Sequence, residues 1–374
     1  MAVQGHASAA GLTVMKVVFR ADASLAIGTG HIYRCLTLAD TLRSRGGECH
    51  FICREHPGNL LTLIRERGYP VHSFAVPADA PVGDVLAHAQ WLGVTQEQDA
   101  RDCAPLVQQL CPDWLVVDHY ALDAHWEGVL RAHCGNLLVI DDLADRTHLS
   151  DLLLDQNLGR TAQAYQGLVP DHCVVLAGAQ YALLRPEFAQ LRSYSLQRRS
   201  RLAGVRQILV SMGGVDLPNA TAQVLRALRD CGLSADSHVS VIMGSTAPWI
   251  ERVKALLQEL PFSGEVLVNV RDMAQLMANS DLAIGAAGGS SWERCSLGLP
   301  TLLVTLADNQ LPGAQALHEA KAARWLGGVA DISQKLAPAL TEVSTTLGAF
   351  NLSAAAVCDG DGAGRVASYM LESA

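Results

Sequence analysis

Patterns that would indicate metal or redox chemistry are missing from this chain of 374 residues. Its 10 cysteines are scattered, and none stands in a Cys-x-x-Cys pair, the closest two being Cys49 and Cys53. Zinc knuckles, thioredoxin-type motifs and a disulfide framework are therefore not supported, and buried free thiols are the simpler interpretation. The only Asp-x-Asp candidate, Asp359 with Asp361, falls in a glycine-rich stretch that reads as a turn before a helix. We expect no metal site.

Excess positive charge and long apolar runs are also absent. The net charge of −9 argues against a nucleic-acid-binding protein, but it allows a phosphorylated small ligand in a locally positive pocket. No apolar run approaches the roughly 20 residues that span a bilayer. Residues 1–14 lack the basic and apolar regions of a signal peptide. We expect a cytoplasmic protein whose first residues form a loose extension, with Met15 as an alternative start.

Motifs of several common enzyme classes do not occur. Walker A, Gly-x-Ser-x-Gly and Ser-x-x-Lys are missing, which disfavours P-loop hydrolysis of nucleotides and serine hydrolysis. A dinucleotide-binding fingerprint that began at Gly28 would need a third glycine where Tyr33 stands, and Glu55 is poorly placed for a ribose. A nicotinamide cofactor is therefore weakly supported, and we expect no cofactor.

The sequence does contain two series of short apolar strands that alternate with helical patterns. Hydrophobic residues make up 49% of the chain and charged residues 17%, which is enough for two domains with large cores. The alternation predicts an α/β fold of two Rossmann-like domains that face each other across a cleft at the carboxyl ends of their strands. The expected boundaries are 15–190 and 191–350 for the two domains, and 351–374 for a C-terminal helix that could pack back on the first domain.

Eleven short apolar segments of the chain are predicted to be strands. They are Val17–Phe19, Cys49–Cys53, Pro70–Phe74, Trp114–Val117, Leu137–Ile140 and Leu152–Leu154 in the first series, and Ile208–Ser211, Val239–Met243, Glu265–Val268, Leu282–Ile284 and Thr301–Val304 in the second. Residues 79–95 read as a polar excursion with weak periodicity.

A glycine loop joins the first strand to the first helix. Gly28 and Gly30 permit a ligand to approach the backbone, and His31 follows where the helical pattern opens. The positive end of a helix disfavours an imidazolium, so a neutral imidazole there suits a general base. A histidine that merely caps its helix fits the same position equally well.

Two further loops follow strands of the second series. Ser211–Asp216 holds two adjacent glycines, and Gly285–Glu293 combines glycines and serines with an acid in the first turn of a helix. Backbone N–H groups at such turns bind phosphate, and an acid there can hold the hydroxyls of a ribose. Each loop alone is a weak signal, and an ordinary turn or a dipole-complementing acid explains it too. Together they predict a bound nucleoside diphosphate, with contacts from Gly213, Gly214, Gly288, Gly289, Ser290, Ser291 and Glu293.

Several acids lie where strands of the first series end. Parallel topology brings Asp22 and Asp118 to the same edge, where they would face a sugar, together with His119 and Tyr120. Asp141 and Asp142 lie there as well, but capping and turn roles are favoured for these two.

Taken together, the motifs resemble a known family. They are FRADAS, IGTGHIYRC, VVDHYALD, IDDLADR, LLLDQN, GAQYALLRPEF, SMGGVD, RDMAQLMANSDLAIGAAGGSSWERCSLGLP and the pair Asn309-Gln310. This set is similar to that of the UDP-2,4-diacetamido-2,4,6-trideoxy-β-L-altropyranose hydrolases of pseudaminic acid biosynthesis, over residues 15–370. The only departure is the extra N-terminal segment.

The resemblance implies a glycosyltransferase-B-like (GT-B) fold with UDP in the C-terminal domain and the sugar near the N-terminal one. It implies metal-independent hydrolysis of a UDP-sugar in the cytoplasm, on a route that includes flagellin glycosylation. We expect a monomer or weak oligomer, although the sequence does not determine the oligomeric state. The family's active-site histidine corresponds to His31, and its Asp-His-Tyr motif to Asp118, His119 and Tyr120. The ribose-binding glutamate of related transferases corresponds to Glu293, and sugar contacts to Asn309 and Gln310.

Two other functions are compatible with these residues. A glycosyltransferase of the same fold would use a UDP-sugar donor but would need an acceptor site, commonly beside an apolar or basic patch, and no such stretch is visible. A non-catalytic UDP-sugar-binding protein would bind UDP without releasing sugar, and His31 on a ligand-facing loop argues mildly against it. Cleavage at the C–O or at the P–O bond is left open, as is the stereochemistry of the sugar.

Overall fold

The computed structural model describes residues 14–77 and 86–373. The expected loose extension at the N-terminus lies, up to residue 13, outside the described residues. Residues 79–85 of the expected polar excursion also lie outside them. Its remainder contains a short 3₁₀ turn, Ala89–Trp91, ahead of a helix.

The first domain is built on a parallel sheet of seven strands, in the order β3-β2-β1-β4-β5-β6-β7. Parallel strands read as continuous apolar runs because helices cover both faces of such a sheet, and β4 is buried along its whole length. The order reverses between β1 and β4, and ligands of open parallel sheets bind at that point. The strands are β1 (Lys16–Ala21), β2 (Glu48–Arg54), β3 (Val71–Phe74), β4 (Trp114–Asp118), β5 (Asn136–Ile140), β6 (Leu152–Asp155) and β7 (Val174–Ala177).

Four α-helices connect strands of this sheet in the part of the chain that the structure describes. Their apolar sides pack on the sheet in two core clusters, one on each face. The α3 helix shows the sequence signals of its ends, because the Thr95 side chain accepts a hydrogen bond from Gln98 N and Cys111 closes the helix in the left-handed conformation. The helices are α1 (Gly30–Ser44), α2 (Leu61–Glu66), α3 (Gln96–Leu110) and α4 (Ala124–Leu130).

The second domain repeats the design with six parallel strands in the order β10-β9-β8-β11-β12-β13. Its strands are β8 (Gln207–Ser211), β9 (His238–Met243), β10 (Ser263–Val268), β11 (Leu282–Ala286), β12 (Thr301–Thr305) and β13 (Arg324–Gly328). Its helices are α6 (Ala220–Arg229), α7 (Ile250–Gln258), α8 (Met273–Asn279), α9 (Ser290–Ser296), α10 (Leu311–Glu319) and α11 (Ile332–Thr345).

Three further helices in the described part of the chain lie between the domains or pack on one of them. α5 (Pro186–Arg199) runs between the two sheets and contacts α8 and α9, and α12 (Leu347–Val357) packs on α9. α13 (Gly362–Glu372) returns to the first domain, where it packs on α1. There the indole N–H of Trp114 donates to the carbonyl of Met370 at 3.1 Å. Residues 351–374 therefore contain the end of one helix on the second domain and a separate helix on the first.

The strand predictions are correct for the interior of both sheets and miss an edge strand of each. β7 and β13 are short and only partly buried, so they lack the continuous apolar pattern that identifies the interior strands. The helices α10 and α11, which follow the last predicted strand, were not predicted, and the C-terminal helix expected over 351–374 overlaps only the end of α12.

Candidate active site

The carboxyl edge of the first sheet brings a histidine and an aspartate together. β1 and β4 are parallel neighbours, so the loop that leads from β1 into α1 lies beside Asp118, the last residue of β4. Nδ1 of His31 lies 2.6 Å from Oδ1 of Asp118, and both side chains are buried. The imidazole does not cap α1, since that helix has no side-chain cap and the ring is bonded to Asp118.

Arg34, one turn after His31 on α1, binds the same carboxylate. Its Nε donates to Oδ2 of Asp118 and its Nη2 to Oδ1, both at 2.6 Å. Burial alone would raise the pKa of Asp118, but the charges of Arg34 and His31 outweigh it and hold that pKa well below its ordinary value. Asp118 is therefore an ionised acceptor at neutral pH. Its Oδ1 can accept a hydrogen bond from an Nδ1–H of His31, a tautomer that places the ring's lone pair on Nε2.

A tyrosine and a second aspartate complete this cluster. Arg34 Nη1 donates to Oδ2 of Asp142 at 2.6 Å, and the Tyr120 hydroxyl donates to the same oxygen at 2.5 Å. The Tyr120 ring meets the His31 ring edge to face, with centroids 4.7 Å apart. His88 and Trp91 pack against Tyr120 with ring centroids 5.6 Å and 5.8 Å away. Tyr120, His88 and Trp91 thus form an aromatic wall on one side of His31, in which Tyr120 contacts the imidazole.

Asp22 and His119 form a second, deeper cluster at the same edge. The carboxylate of Asp22 is fully buried, lies 2.9 Å from Nη1 of Arg20 and accepts from the backbone N–H of Arg54 at 2.6 Å. His119 accepts from Ala121 N at its Nδ1, and its Nε2 lies 3.4 Å from Asp22. Burial lowers the pKa of His119 more than Asp22 raises it.

This burial changes the expectation for both residues. A direct contact of Asp22 with a sugar is not what the geometry provides, because Arg20, Arg54 and His119 already surround its carboxylate. His119 is 3% exposed, and its ring nitrogens face the backbone N–H of Ala121 and the carboxylate of Asp22. It is therefore a buried packing residue beneath this edge of the sheet. The sequence could not separate these two residues from Asp118, because all follow strands at one edge.

The predicted glycine loops all leave room for a ligand. A Cβ placed on Gly28, Gly30, Gly213, Gly214, Gly288 or Gly289 would find no heavy atom within 4 Å beyond its chain neighbours. Gly285 is a contrasting packing glycine, since its Cβ would lie 2.6 Å from Arg294 Nη1 and 3.0 Å from the Ser211 carbonyl. The open glycines of the three loops therefore flank free space and do not fill a packed turn.

The two loops of the second domain are neighbours. β8 and β11 pair in parallel, with Ser211 opposite Gly285, so the loops that follow them share one edge of the sheet. The hydroxyls of Ser290 and Ser291 accept hydrogen bonds from Arg294 at 3.2 Å and 2.9 Å. Each hydroxyl keeps its own O–H as a donor for a ligand. At the start of α9, Ser291 N and Trp292 N already donate to the carbonyls of Gly288 and Gly289.

The other predicted nucleotide and sugar contacts lie at the same end of this sheet. Glu293 is half-buried in the first turn of α9, and burial raises the pKa of its carboxyl although Arg185 and Arg294 oppose the rise. Asn309 is exposed after β12, and the Gln310 side chain accepts from Leu306 N at 2.9 Å. Both carboxylate oxygens of Asp216 accept hydrogen bonds at the start of α6, from Ala220 N and Thr221 N.

The structure therefore joins His31, Asp118 and Tyr120 in one cluster and adds two residues that the sequence analysis did not assign to the site. Arg34 could have been found, because a residue three positions after His31 shares its helix face. Asp142 could not be separated from Asp141 by sequence. The side chain of Asp141 turns inward to Arg146 at 2.8 Å, whereas that of Asp142 reaches Arg34.

Within residues 14–77 and 86–373, no group of three or more His, Cys, Asp or Glu side chains is placed to hold a metal ion. No helix in those ranges is both long enough and apolar enough to cross a membrane.

Comparisons with known proteins agree with this architecture. Residues 208–348 match the glycosyltransferase family 28 C-terminal domain. The crystal structure of Acinetobacter baumannii MurG superposes with a TM-score of 0.69 and 16% sequence identity, over 96% of this chain and 99% of that one. The predicted fold class, two Rossmann-like domains of the GT-B type, is confirmed.

Two curated relatives extend the comparison to sequence. The UDP-2,4-diacetamido-2,4,6-trideoxy-beta-L-altropyranose hydrolase of Campylobacter jejuni is 26% identical over 273 residues, which cover 73% of this chain and 85% of that protein. The uncharacterized protein MJ1062 of Methanocaldococcus jannaschii is 24% identical over 301 residues, or 79% of this chain, but the match spans only 56% of that longer protein. The resemblance drawn from the motifs is thereby confirmed at the level of distant relatives.

Proposed function

We propose that this chain, a distant relative of the UDP-2,4-diacetamido-2,4,6-trideoxy-β-L-altropyranose hydrolases with a GT-B fold, hydrolyses a UDP-linked diacetamido-trideoxy sugar to free sugar and UDP. Its place would be in pseudaminic acid biosynthesis. The observation that carries the proposal is the 2.6 Å contact between His31 Nδ1 and Asp118 at the mouth of an open glycine loop. Such a pair leaves Nε2 of His31 as a base for water.

His31 acts as the general base in the proposed reaction. Nδ1–H donates to Asp118, and Nε2 takes a proton from the water that attacks the anomeric carbon. A bond forms between the water oxygen and the anomeric carbon, and the bond from that carbon to the UDP oxygen breaks. The electron pair of the broken bond leaves with UDP. General-base assistance of this kind contributes about 10²–10⁴-fold to a rate.

The second domain stabilises the leaving group in this proposal. Negative charge builds on the diphosphate as the bond breaks, and the backbone N–H groups beside Gly213, Gly288 and Gly289 would receive it. A positioned donor of this type is commonly worth about 3–4 kcal/mol in the transition state. Glu293 would hold the ribose hydroxyls, while Tyr120, Asn309 and Gln310 would contact the sugar.

The proposal is tested by incubating the protein with a panel of UDP-linked diacetamido and monoacetamido sugars in the absence of an acceptor. We expect stoichiometric release of UDP and free sugar from the diacetamido substrate. His31→Ala should lower turnover by about 10²–10⁴-fold and leave UDP affinity almost unchanged. Unchanged turnover in that variant would remove His31 from the reaction. Reaction in ¹⁸O-labelled water places the label on the sugar for C–O cleavage and on UDP for P–O cleavage.

A glycosyltransferase is the second candidate, favoured by the family 28 match over residues 208–348. In that case the base would act on an acceptor hydroxyl and not on water. The same incubation separates the two functions, because a transferase releases UDP slowly until an acceptor is added. A protein that binds UDP and releases neither product would be the non-catalytic binder.

A further inference from the structure

We propose that Arg34 is a positioning residue that locks His31 and Tyr120 into one hydrogen-bonded unit and sets the charge around the imidazole. The catalytic meaning of this inference rests on the proposed function, but its structural content does not. The unit consists of His31, Arg34, Asp118, Tyr120 and Asp142, and we call it the Arg34 ring.

The ring is closed by contacts on every side. Arg34 grips Asp118 with two parallel hydrogen bonds of 2.6 Å and reaches Asp142 with a third of the same length. Asp118 holds His31 Nδ1, and Asp142 accepts from Tyr120, whose ring lies edge-on against that of His31. Asp118 is the last residue of β4, and Asp142 follows β5. Arg34 therefore connects the carboxyl ends of both strands to the helix that carries His31.

The planar fork of arginine suits this task. It matches a carboxylate with two parallel bonds and still has a third nitrogen for another acceptor. The Arg34 side chain is 11% exposed. Burial alone would lower its pKa, but Asp118 and Asp142 outweigh that effect and hold the pKa well above its ordinary value. A lysine at this position would keep the charge but could not make the same set of bonds.

Arg34 also determines how much negative charge surrounds His31. The ring sets one positive charge against two carboxylates, so it is net negative with a neutral imidazole and neutral with an imidazolium. A base that must gain a proton benefits from one unbalanced carboxylate. Two unbalanced carboxylates would hold the proton before water arrives, which would remove the base in the resting state.

Other titratable groups near His31 leave this balance intact. Burial lowers the pKa of His88 on the aromatic wall, and burial likewise lowers the pKa of His119 behind it. Both rings are therefore neutral near pH 7. Burial raises the pKa of Tyr120 well above its ordinary value, and Asp142 adds to the rise, so that its hydroxyl stays protonated. The charges within the ring are therefore those of Arg34, Asp118 and Asp142. Farther out, the Arg146 guanidinium lies 5.9 Å from the centre of the Tyr120 ring and is paired with Asp141 and Asp145.

The test follows the His31 ring by NMR as a function of pH, in the full chain without substrate, with its signal identified by its loss in His31→Ala. Arg34→Gln should move the midpoint of the His31 titration up by about one pH unit or more, because a positive charge 3.3 Å from Nδ1 is removed. Arg43→Gln is the matched control, since Arg43 lies on the same helix and pairs with Asp40 at the surface. It should leave the midpoint in place.

A second variant works in the opposite direction and covers the case in which Arg34→Gln fails to fold. Asp142→Asn removes a negative charge and frees Arg34, so the His31 midpoint should move down. Arg34→Lys should keep the midpoint within a fraction of a unit but lower kcat by about 10²-fold, with UDP affinity retained, because the fork that places the base is lost.

These measurements separate the inference from the proposed function. Midpoints that move up in Arg34→Gln and down in Asp142→Asn support the ring even if no UDP-sugar is hydrolysed. A midpoint that stays in place in either folded variant overturns it, even in an active hydrolase. Wild-type kcat in Arg34→Lys would overturn the positioning role.

Discussion

Nδ1 of His31 and Oδ1 of Asp118 lie 2.6 Å apart although 87 residues separate them in the chain. The contact arises because β1 and β4 are adjacent in the sheet, and the residues that follow one strand and end the other meet at its carboxyl edge. An ionised carboxylate on Nδ1 fixes the tautomer of the ring. The pair therefore determines which ring nitrogen of His31 is free to act on a ligand.

Asp118→Asn should abolish most of the turnover without loss of UDP affinity. The amide can donate to Nδ1, which favours the tautomer with its proton on Nε2 and removes the base. We expect kcat to fall by about 10²-fold or more, measured by UDP release. Asp40→Asn is the matched control, because Asp40 also pairs with an arginine of α1 but at the surface. An Asp118→Asn protein with wild-type kcat would show that His31 needs no fixed tautomer.

Alanine at Gly288 and alanine at Gly285 should change two different properties, the affinity for UDP and the stability of the fold. Gly288→Ala meets open space, so the protein should fold normally and lose UDP affinity by about tenfold or more, since hydrogen bonds to charged groups are worth about 1.5–3 kcal/mol. Gly285→Ala places Cβ 2.6 Å from Arg294 Nη1 and should lower stability by about 1–3 kcal/mol. Calorimetric titration with UDP and urea unfolding measure the two effects. Unchanged UDP affinity in Gly288→Ala would mean that this loop does not hold the diphosphate.

UDP binding should weaken as the pH falls towards the pKa of Glu293. Burial raises that pKa above the ordinary value of about 4.3. A protonated carboxyl has less capacity to accept bonds from the two ribose hydroxyls, so affinity should be highest above this pKa and decline below it. The comparison is a UDP titration from pH 7 to pH 5 in wild type and in Glu293→Gln, whose profile should be flatter. Parallel profiles would show that Glu293 does not contact the ribose.

Asp22→Asn should act on stability and not on substrate contact. The carboxylate is fully buried beside Arg20, and removal of one member of such a pair costs roughly 3–5 kcal/mol. Burial alone would raise the pKa of Asp22, but Arg20 outweighs it and the pKa is lowered well below the ordinary value. Its stabilisation is therefore present above the unfolded-state pKa of about 3.9 and is lost as the pH falls below it.

Urea unfolding at pH 7 and at pH 3 measures this effect. The difference in stability between wild type and Asp22→Asn should shrink at the lower pH, and Asp230→Asn, an exposed aspartate, should match wild type at both. A variant with wild-type stability but a raised KM would instead place Asp22 in contact with the sugar.

Much of the fold was readable from the chain. Interior strands such as Trp114–Asp118 are continuous apolar runs, because helices cover both faces of a parallel sheet. Such a run is visible directly in the sequence. The edge strand Val174–Ala177 was missed, because a partly exposed strand of four residues carries no such mark. The helices α10 and α11 were not predicted either, and α11 follows the edge strand β13, which was also missed.

By itself the sequence determined the two-domain parallel architecture, the glycine loops and the position of His31, since these depend on local patterns and on the order of strands. Only the tertiary structure decided which strand-end acids lie together with His31. Asp22 and Asp142 look alike in sequence, yet one carboxylate is closed off by Arg20 and Arg54 while the other reaches Arg34 and Tyr120. The reason is physical: side chains at the ends of parallel strands share one edge, and packing around that edge determines which partners each carboxylate meets.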